Sequence, residues 1–164
     1  MIIVRSPLRV SFSGGGTDLP AFYREFGPGA VLSTSINKHV YVTLNEKFQG
    51  DVSVRYRVHE HVDTVREIRH PLIRECLLAY GVESGVEVVI ASDVPARGSG
   101  LGASSALACA LCFALEKFTG HGPDFDPAFL YGWTGLDMKM KIADRASKIE
   151  IERCGSPIGK QDHY

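Results

Sequence analysis

The chain has 164 residues, of which 45% are hydrophobic and 23% are charged, a composition ordinary for one globular core. Its 18 Lys and Arg residues nearly balance 19 Asp and Glu residues, so a net charge of −1 offers no basic field for nucleic acid. No apolar run approaches the ~20 residues that a membrane span needs, and the first residues lack the form of a signal peptide. The four cysteines are typical of packed thiols in a reduced compartment. We therefore expect a cytoplasmic protein that binds neither nucleic acid nor a membrane.

The first part of the chain is dominated by strand patterns. Apolar and polar residues alternate in four early segments, at residues 1–12, 30–36, 39–48 and 51–60. Pro7 interrupts the first segment, which indicates an edge strand or a bulge. A fifth strand is predicted from a continuous apolar run at residues 86–91.

Helical patterns lie between and after these strands. A glycine turn leads to a short helix that ends near Phe26, with Asp18 as its N-cap. Further helices are predicted at residues 71–80, from residue 106 onward, in a segment opened by Pro127, and at about 136–153. Early strands followed by helices predict an α+β fold with a mostly antiparallel sheet.

A glycine-rich segment separates the apolar run at residues 86–91 from the helix that follows. It reads Asp93-Val-Pro-Ala-Arg-Gly-Ser-Gly-Leu-Gly-Ala-Ser-Ser-Ala106. Glycines let the backbone approach a ligand closely, and the N–H groups at a helix start attract anions. The order strand, loop, helix thus indicates a phosphate site, although a helix entry with ordinary serine caps is the alternative. The spacing G-x-G-x-G, without a Gly-Lys-Ser/Thr ending, excludes the dinucleotide and Walker A loops.

This segment resembles the phosphate loop of the GHMP kinases, the superfamily of galactokinase, homoserine kinase and mevalonate kinase. Their motif reads roughly P-x-x-x-G-L-G/S-S-S-A, and this chain has one additional residue before the Gly-Leu pair. The resemblance implies the family's N-terminal domain, which is similar to ribosomal protein S5 domain 2 and packs its helices on one face of the sheet. It also implies ATP as cofactor, bound by Pro95, Arg97, Gly98, Ser99, Gly100, Leu101, Gly102, Ala103, Ser104 and Ser105.

A second motif lies near the start, where Pro-Leu-Arg-Val-Ser-Phe-Ser-Gly-Gly-Gly-Thr-Asp18 aligns without a gap with the galactokinase motif P-G-R-V-N-L-I-G-E-H-T-D. The resemblance implies that Arg9 is catalytic and stabilises charge on the transferred phosphoryl group. It also implies a sugar-binding set of Asp18, Gly15, Gly16 and Thr17. The alternatives are a surface arginine and an N-cap aspartate. Two glycines replace the Glu-His of galactokinases, which makes the site roomier and galactose an unexpected substrate.

A third motif, Pro-Ile-Gly-Lys-Gln-Asp-His-Tyr164, resembles P-x-G-K-Q-D-Q-Y in related sugar-phosphate kinases. The resemblance implies that Asp162 is catalytic and accepts the proton of the sugar hydroxyl or, ionised beside an arginine, orients that hydroxyl. His163 stands where the family usually has glutamine. Ser105 and Glu150 match the hydroxyl and carboxylate that hold Mg²⁺ in mevalonate kinases, a suitable hard-oxygen set. The alternative for Glu150 is an ordinary solvated helix residue.

Together, these motifs and the segments between them resemble the D-glycero-D-manno-heptose 7-phosphate kinase branch of the family. The resemblance implies an ATP- and Mg²⁺-dependent kinase that phosphorylates the anomeric hydroxyl of a sugar phosphate, most specifically this heptose phosphate, for nucleotide-activated heptose synthesis. A fucokinase-like sugar kinase and a non-catalytic nucleotide-binding fragment are the alternatives. We expect residues 1–164 to form the N-terminal GHMP domain, truncated before the family's C-terminal domain. The oligomeric state is left open, with a homodimer as one option.

Overall fold

A computed structural model of the chain describes residues 1–95, 99–120 and 136–164. Within these residues, one sheet has the strand order β1-β2-β5-β3-β4. Three of the four strand pairings are antiparallel, and only β3 and β5 run parallel. The predicted α+β fold with a mostly antiparallel sheet is confirmed. The strands are β1 (Ile2–Ser13), β2 (Leu32–Glu46), β3 (Val52–Arg55), β4 (His59–Val62) and β5 (Val86–Ser92).

The edge position of β1 agrees with the proline inside it. Its pairing with β2 shifts after Pro7, so that Pro7 faces His39 while Leu8 faces Ile36. The two intervening residues of β2 bulge out, and the ladder continues on both sides of them. The prediction of separate strands at 30–36 and 39–48 is therefore wrong, because the bulge absorbs the irregularity within one strand.

The predicted strand at 51–60 is also wrong, because this segment turns back on itself. Val52 pairs with Val62 and Arg55 with His59, which makes β3 and β4 a hairpin. The N–H of Tyr56 donates to the carbonyl of Val58 at 3.0 Å and closes the turn. Alternation has the same period in both arms of a hairpin, so the pattern does not reveal the reversal.

The helices are α1 (Pro20–Phe26), α2 (Pro71–Ala79), α3 (Ala103–Thr119) and α4 (Leu136–Lys148), the last continuing into a π-helical turn at Ile149–Arg153. Because α3 begins before residue 106, Ser104 and Ser105 lie in its first turn. The N-cap of α1 is Leu19, so the prediction of Asp18 as that N-cap is wrong. The helical segment predicted from Pro127 lies outside the described residues.

The core lies between the sheet and the helices. Helix α3 packs across β1 and β2, and α2 packs against α3. The four cysteines are free, as predicted, and burial raises the pKa of Cys109 to about 12, so this thiol stays protonated at neutral pH. The largest fully buried apolar side chains are Leu8, Leu44, Ile68, Ile73, Leu77, Leu111, Leu115, Val42, Val52 and Val54.

Two leucines test this assignment of the core. Leu111 of α3 is fully buried, whereas Leu32 of β2 is 65% exposed. We expect Leu111→Ala to lower the free energy of unfolding by about 2–5 kcal/mol, because it leaves a cavity. The matched control Leu32→Ala should change it by no more than about 0.5 kcal/mol. Urea denaturation followed by circular dichroism measures both, and equal losses would contradict the packing of α3.

Candidate active site

The glycine-rich loop leaves the end of β5 and is anchored to β2 at its start. The carboxylate of Asp93 accepts a hydrogen bond from the N–H of His39 at 2.9 Å, and the N–H of Asp93 donates to the carbonyl of His39 at 3.0 Å. Two predicted nucleotide contacts, Arg97 and Gly98, lie outside the described residues. The described part of the loop ends at Gly102, where α3 begins.

Gly102 brings the loop backbone against the second and third motifs. It is the N-cap of α3, with a φ of +71°, a conformation that glycine adopts without strain. A Cβ at this position would lie 3.3 Å from Oδ2 of Asp162 and 3.4 Å from Cγ of Arg9. Both the backbone conformation and the lack of space therefore favour glycine here.

Arg9 and Asp162 form a two-pronged ion pair at this point. Nε of Arg9 donates to Oδ1 of Asp162 and Nη2 donates to Oδ2, both at 2.6 Å. The remaining nitrogen, Nη1, donates to the carbonyl of Gly100 at 2.6 Å, and the backbone N–H of Arg9 donates to the carbonyl of Leu101. The two side chains are 19% and 17% exposed, which excludes a plain surface arginine. The structure thus brings the two candidate catalytic residues together beside the loop.

Asp18 faces the third motif rather than α1. It ends a 3₁₀ turn, Gly15–Asp18, and its Oδ2 accepts a hydrogen bond from the N–H of Gln161 at 2.8 Å. A Cβ on Gly159 would overlap this carboxylate, so the backbone of the third motif packs directly against Asp18. Thr17 holds the turn by donating to the carbonyl of Gly14 at 2.8 Å. The carboxylate of Asp18 is therefore held by the backbone of Gln161, one residue before Asp162.

The two glycines that replace Glu-His differ in their surroundings. A Cβ on Gly15 would lie 3.2 Å from Nε2 of Gln161, whereas a Cβ on Gly16 would meet no atom of the described residues within 4 Å. The side chain of Gln161 therefore occupies part of the space beside Gly15. The space beside Gly16 is open, in agreement with the roomier site that the sequence suggests.

Glu150 is buried in the π-helical turn, so the alternative of a solvated helix residue is wrong. Ser104 donates its hydroxyl hydrogen to Oε1 of Glu150, and Nε2 of His163 lies 2.9 Å from Oε2. Burial alone would raise the pKa of Glu150. The hydrogen bonds from His163 and Ser104 outweigh burial and hold the pKa below its ordinary value of 4.5.

The oxygens of Glu150 and Ser104 fit a magnesium ion in kind. Carboxylate and hydroxyl oxygens at the start of α3 are hard ligands, and Mg²⁺ commonly takes one or two carboxylates together with substrate phosphates. Among the described residues, no group of three or more His, Cys, Asp or Glu side chains is placed to hold a metal ion. The sequence predicts Ser105 as the hydroxyl ligand, but the hydroxyl that donates to Glu150 is that of Ser104. Ser105 is buried, and its hydroxyl also lowers the pKa of Glu150.

A cleft of about 790 Å³ adjoins the ion pair, a volume typical of small-molecule sites. It runs between β1, α3 and α4 and is lined by Arg9, Ser33, Gly102, Asp162 and His163 among other residues. A smaller pocket of about 390 Å³ lies beside Thr17 and Asp18. Arg9 and Asp162 thus border one open space that a ligand can enter, and Thr17 and Asp18 border another.

Three contacts at this site involve residues that the motifs did not single out as functional. His163 contacts Glu150, Gly159 packs on Asp18, and Gln161 lies over Gly15. The sequence feature that could have pointed to these residues was their position inside the third motif. Gly159 and Gln161 contact residues near the start of the chain, and His163 contacts a residue 13 positions before it, so the motif alone did not show these contacts.

The chain is similar in sequence to known kinases. A family model described as GHMP kinases N terminal domain matches residues 64–164, more than half of the chain. The D-glycero-alpha-D-manno-heptose 7-phosphate kinase of Campylobacter jejuni is 26% identical over 182 residues, which cover 99% of this chain and 47% of that protein. The chain therefore spans about half the length of this relative.

Solved structures share the fold. A D-glycero-D-manno-heptose 1-phosphate kinase from Bacteroides thetaiotaomicron has a TM-score of 0.74 at 22% identity, covering 100% of this chain and 52% of that one. A galactokinase of Lactococcus lactis, solved with galactose, has a TM-score of 0.67 at 17% identity. The match covers 98% of this chain and 40% of that one. Within the described residues, no helix combines the length and apolar character that crossing a membrane would require.

The contact between Gly159 and Asp18 can be tested by adding one methyl group. We expect Gly159→Ala to lower the free energy of unfolding by about 1–3 kcal/mol, because its Cβ would overlap the Asp18 carboxylate. The control is Gly16→Ala, where the added Cβ meets no atom within 4 Å. Urea denaturation of both variants measures the difference, and equal unfolding midpoints would show that the third motif does not pack on Asp18.

The lowered pKa of Glu150 predicts a loss of stability in acid. A carboxyl group whose pKa is lower in the folded than in the unfolded state stabilises the fold above the unfolded value. That contribution disappears as the pH falls through the folded value. We expect the free energy of unfolding to decrease as the pH is lowered below about 4.5. The decrease should be less steep in Glu150→Gln. Urea titrations at a series of pH values measure both slopes, and identical slopes would contradict the prediction.

Proposed function

The chain belongs to the GHMP kinase family, and from this membership we propose that the protein transfers a phosphate group from ATP to a sugar hydroxyl. The observation that carries the proposal is the ion pair between Arg9 and Asp162, which also contacts the carbonyl of Gly100 in the glycine-rich loop. A phosphate loop, a fixed positive charge and a carboxylate beside one cleft are the parts that phosphoryl transfer requires.

For the substrate, we propose the anomeric hydroxyl of a sugar phosphate, most specifically D-glycero-D-manno-heptose 7-phosphate, for nucleotide-activated heptose synthesis. Support comes from the Campylobacter jejuni relative, which carries this activity in its name and matches almost the whole chain. The open space beside Gly16 also supports a sugar larger than galactose. We assign the sugar-binding role to Asp18, Gly15, Gly16 and Thr17.

In the proposed reaction, the sugar oxygen bonds to the terminal phosphorus of ATP while the bond from that phosphorus to the departing ADP oxygen breaks. Asp162 accepts the hydrogen of the attacking hydroxyl, because a carboxylate retains acceptor sites beyond the two that Arg9 occupies. Arg9 keeps that carboxylate in place and adds positive charge where negative charge builds. The N–H groups of the loop and of the first turn of α3 bind the nucleotide phosphates.

Magnesium would be held at the start of α3 by the carboxylate of Glu150 with the hydroxyl of Ser104 or Ser105. When bound, the ion neutralises charge on the nucleotide phosphates. The contribution of the chain is to keep Glu150 ionised although it is buried, through hydrogen bonds from Ser104 and His163.

Residues 1–164 act, in this proposal, as the family's N-terminal domain. The relatives are about twice as long as the chain, since it covers 47% of one and 52% of another. The family's C-terminal domain would lie outside these residues. Activity is accordingly a property to be measured on the full-length protein.

The test is an assay of ATP turnover by the full-length protein with heptose 7-phosphate, fucose and galactose. We expect turnover on heptose 7-phosphate, and a loss of about 10²–10⁴-fold in kcat for Asp162→Asn, because the amide no longer accepts the proton. Asp63→Asn, at an exposed position, makes the same chemical change as a control and should leave kcat unchanged.

Two outcomes would contradict this proposal in different ways. Turnover on fucose but not on heptose 7-phosphate would keep the kinase and replace the substrate. ATP binding without turnover on any sugar would favour a non-catalytic nucleotide-binding protein.

A further inference from the structure

His163 is buried beside the site, although it follows the candidate catalytic residue directly. Both belong to a short 3₁₀ turn, Gln161–His163, which the N–H of His163 closes on the carbonyl of Lys160 at 3.0 Å. The carboxylate of Asp162 points to Arg9, whereas the imidazole of His163 points to Glu150. Adjacent residues of one turn therefore contact two different parts of the site.

These two contacts hold the glycine-rich loop from both sides. On one side, Asp162 binds Arg9, which binds the carbonyl of Gly100 inside the loop. On the other side, His163 contacts Glu150. This carboxylate accepts a hydrogen bond from the hydroxyl of Ser104, just after the loop. The turn at Gln161–His163 thus connects the candidate catalytic carboxylate with the candidate metal-binding carboxylate.

The imidazole makes one side-chain hydrogen bond with its two nitrogens. Nε2 lies 2.9 Å from Oε2 of Glu150, while Nδ1 is buried without a hydrogen-bond partner among the described residues. The ring itself is fully buried. A buried nitrogen without a partner costs free energy that an apolar side chain would not. The feature that offsets this cost is the hydrogen bond from Nε2 to Glu150.

We propose that His163 is a positioning residue, whose Nε2–H fixes the Glu150 carboxylate against Ser104 and so sets how Glu150 meets a divalent cation on the bound nucleotide. This inference rests on the proposed function, because it requires a metal–nucleotide complex at the start of α3. His163 itself touches neither the nucleotide nor the reacting atoms in this arrangement. Its effect reaches the metal through Glu150.

Two amide substitutions separate this role from plain packing. A glutamine amide places its N–H donor near the position of Nε2, whereas the shorter asparagine amide places it near that of Nδ1. His163→Gln therefore keeps the donor that faces Glu150, and His163→Asn keeps a polar side chain but loses that donor. His70→Leu is the control for loss of a histidine outside the site. His70 is the N-cap of α2, and its partly buried imidazole also has an Nδ1 without a partner among the described residues.

The experiment measures Mn²⁺ affinity in the ATP complex of the full-length protein, by paramagnetic resonance of free Mn²⁺. Metal-free ATP affinity by calorimetry and thermal unfolding of each variant accompany it. We expect His163→Asn to weaken Mn²⁺ binding by about 10–100-fold, the usual effect of losing a residue that orients a metal ligand. His163→Gln and His70→Leu should bind Mn²⁺ as the unmodified protein does, and metal-free ATP affinity should not change in any of them.

Each contrary result has one meaning. Equal Mn²⁺ affinity in His163→Asn and His163→Gln would overturn the positioning role while leaving the proposed kinase intact. Failure of the unmodified protein to bind Mn²⁺ with ATP would overturn the proposed metal site and this inference with it.

Discussion

The ion pair between Arg9 and Asp162 is the interaction on which the arrangement of the site depends. It joins the first strand to the last turn of the described chain. The third nitrogen of the same guanidinium donates a hydrogen bond to the carbonyl of Gly100. A two-pronged pair fixes direction as well as distance, since both carboxylate oxygens and both nitrogens must lie in one plane. A side chain at Gly102 is disfavoured by its φ of +71° and by the pair, which lies directly against it. The loop, the strand and the turn are therefore positioned together.

A second carboxylate near this pair is held in a different way. Asp162 lies at the edge of a cleft, with 17% of its side chain exposed, where a ligand can reach it. Glu150 is buried, and hydrogen bonds from Ser104 and His163 replace the water it has lost. Partial exposure suits a group that exchanges a proton, and burial suits a group that must keep its charge and direction.

The solved structures resemble this chain in fold but not in a shared substrate. Structures 22% and 17% identical to the chain share its fold, although their names refer to different sugars. The fold therefore does not determine the substrate, and we propose a heptose phosphate from local features such as Gly16 and the third motif.

The sequence by itself determined the α+β class, the glycine-rich loop and the helix after it, because periodicity and glycine spacing act over a few residues. It did not show the bulge that joins two predicted strands into β2 or the reversal between β3 and β4, since alternation persists through both. Only the tertiary structure decided that Asp18 binds the backbone of Gln161 instead of capping α1, that Glu150 is buried, and that His163 contacts it. The physical reason is that burial and side-chain partners depend on packing between elements. Asp18 and Gln161 are 143 residues apart, and even Glu150 and His163, only 13 apart, lie in separate turns that no local pattern relates.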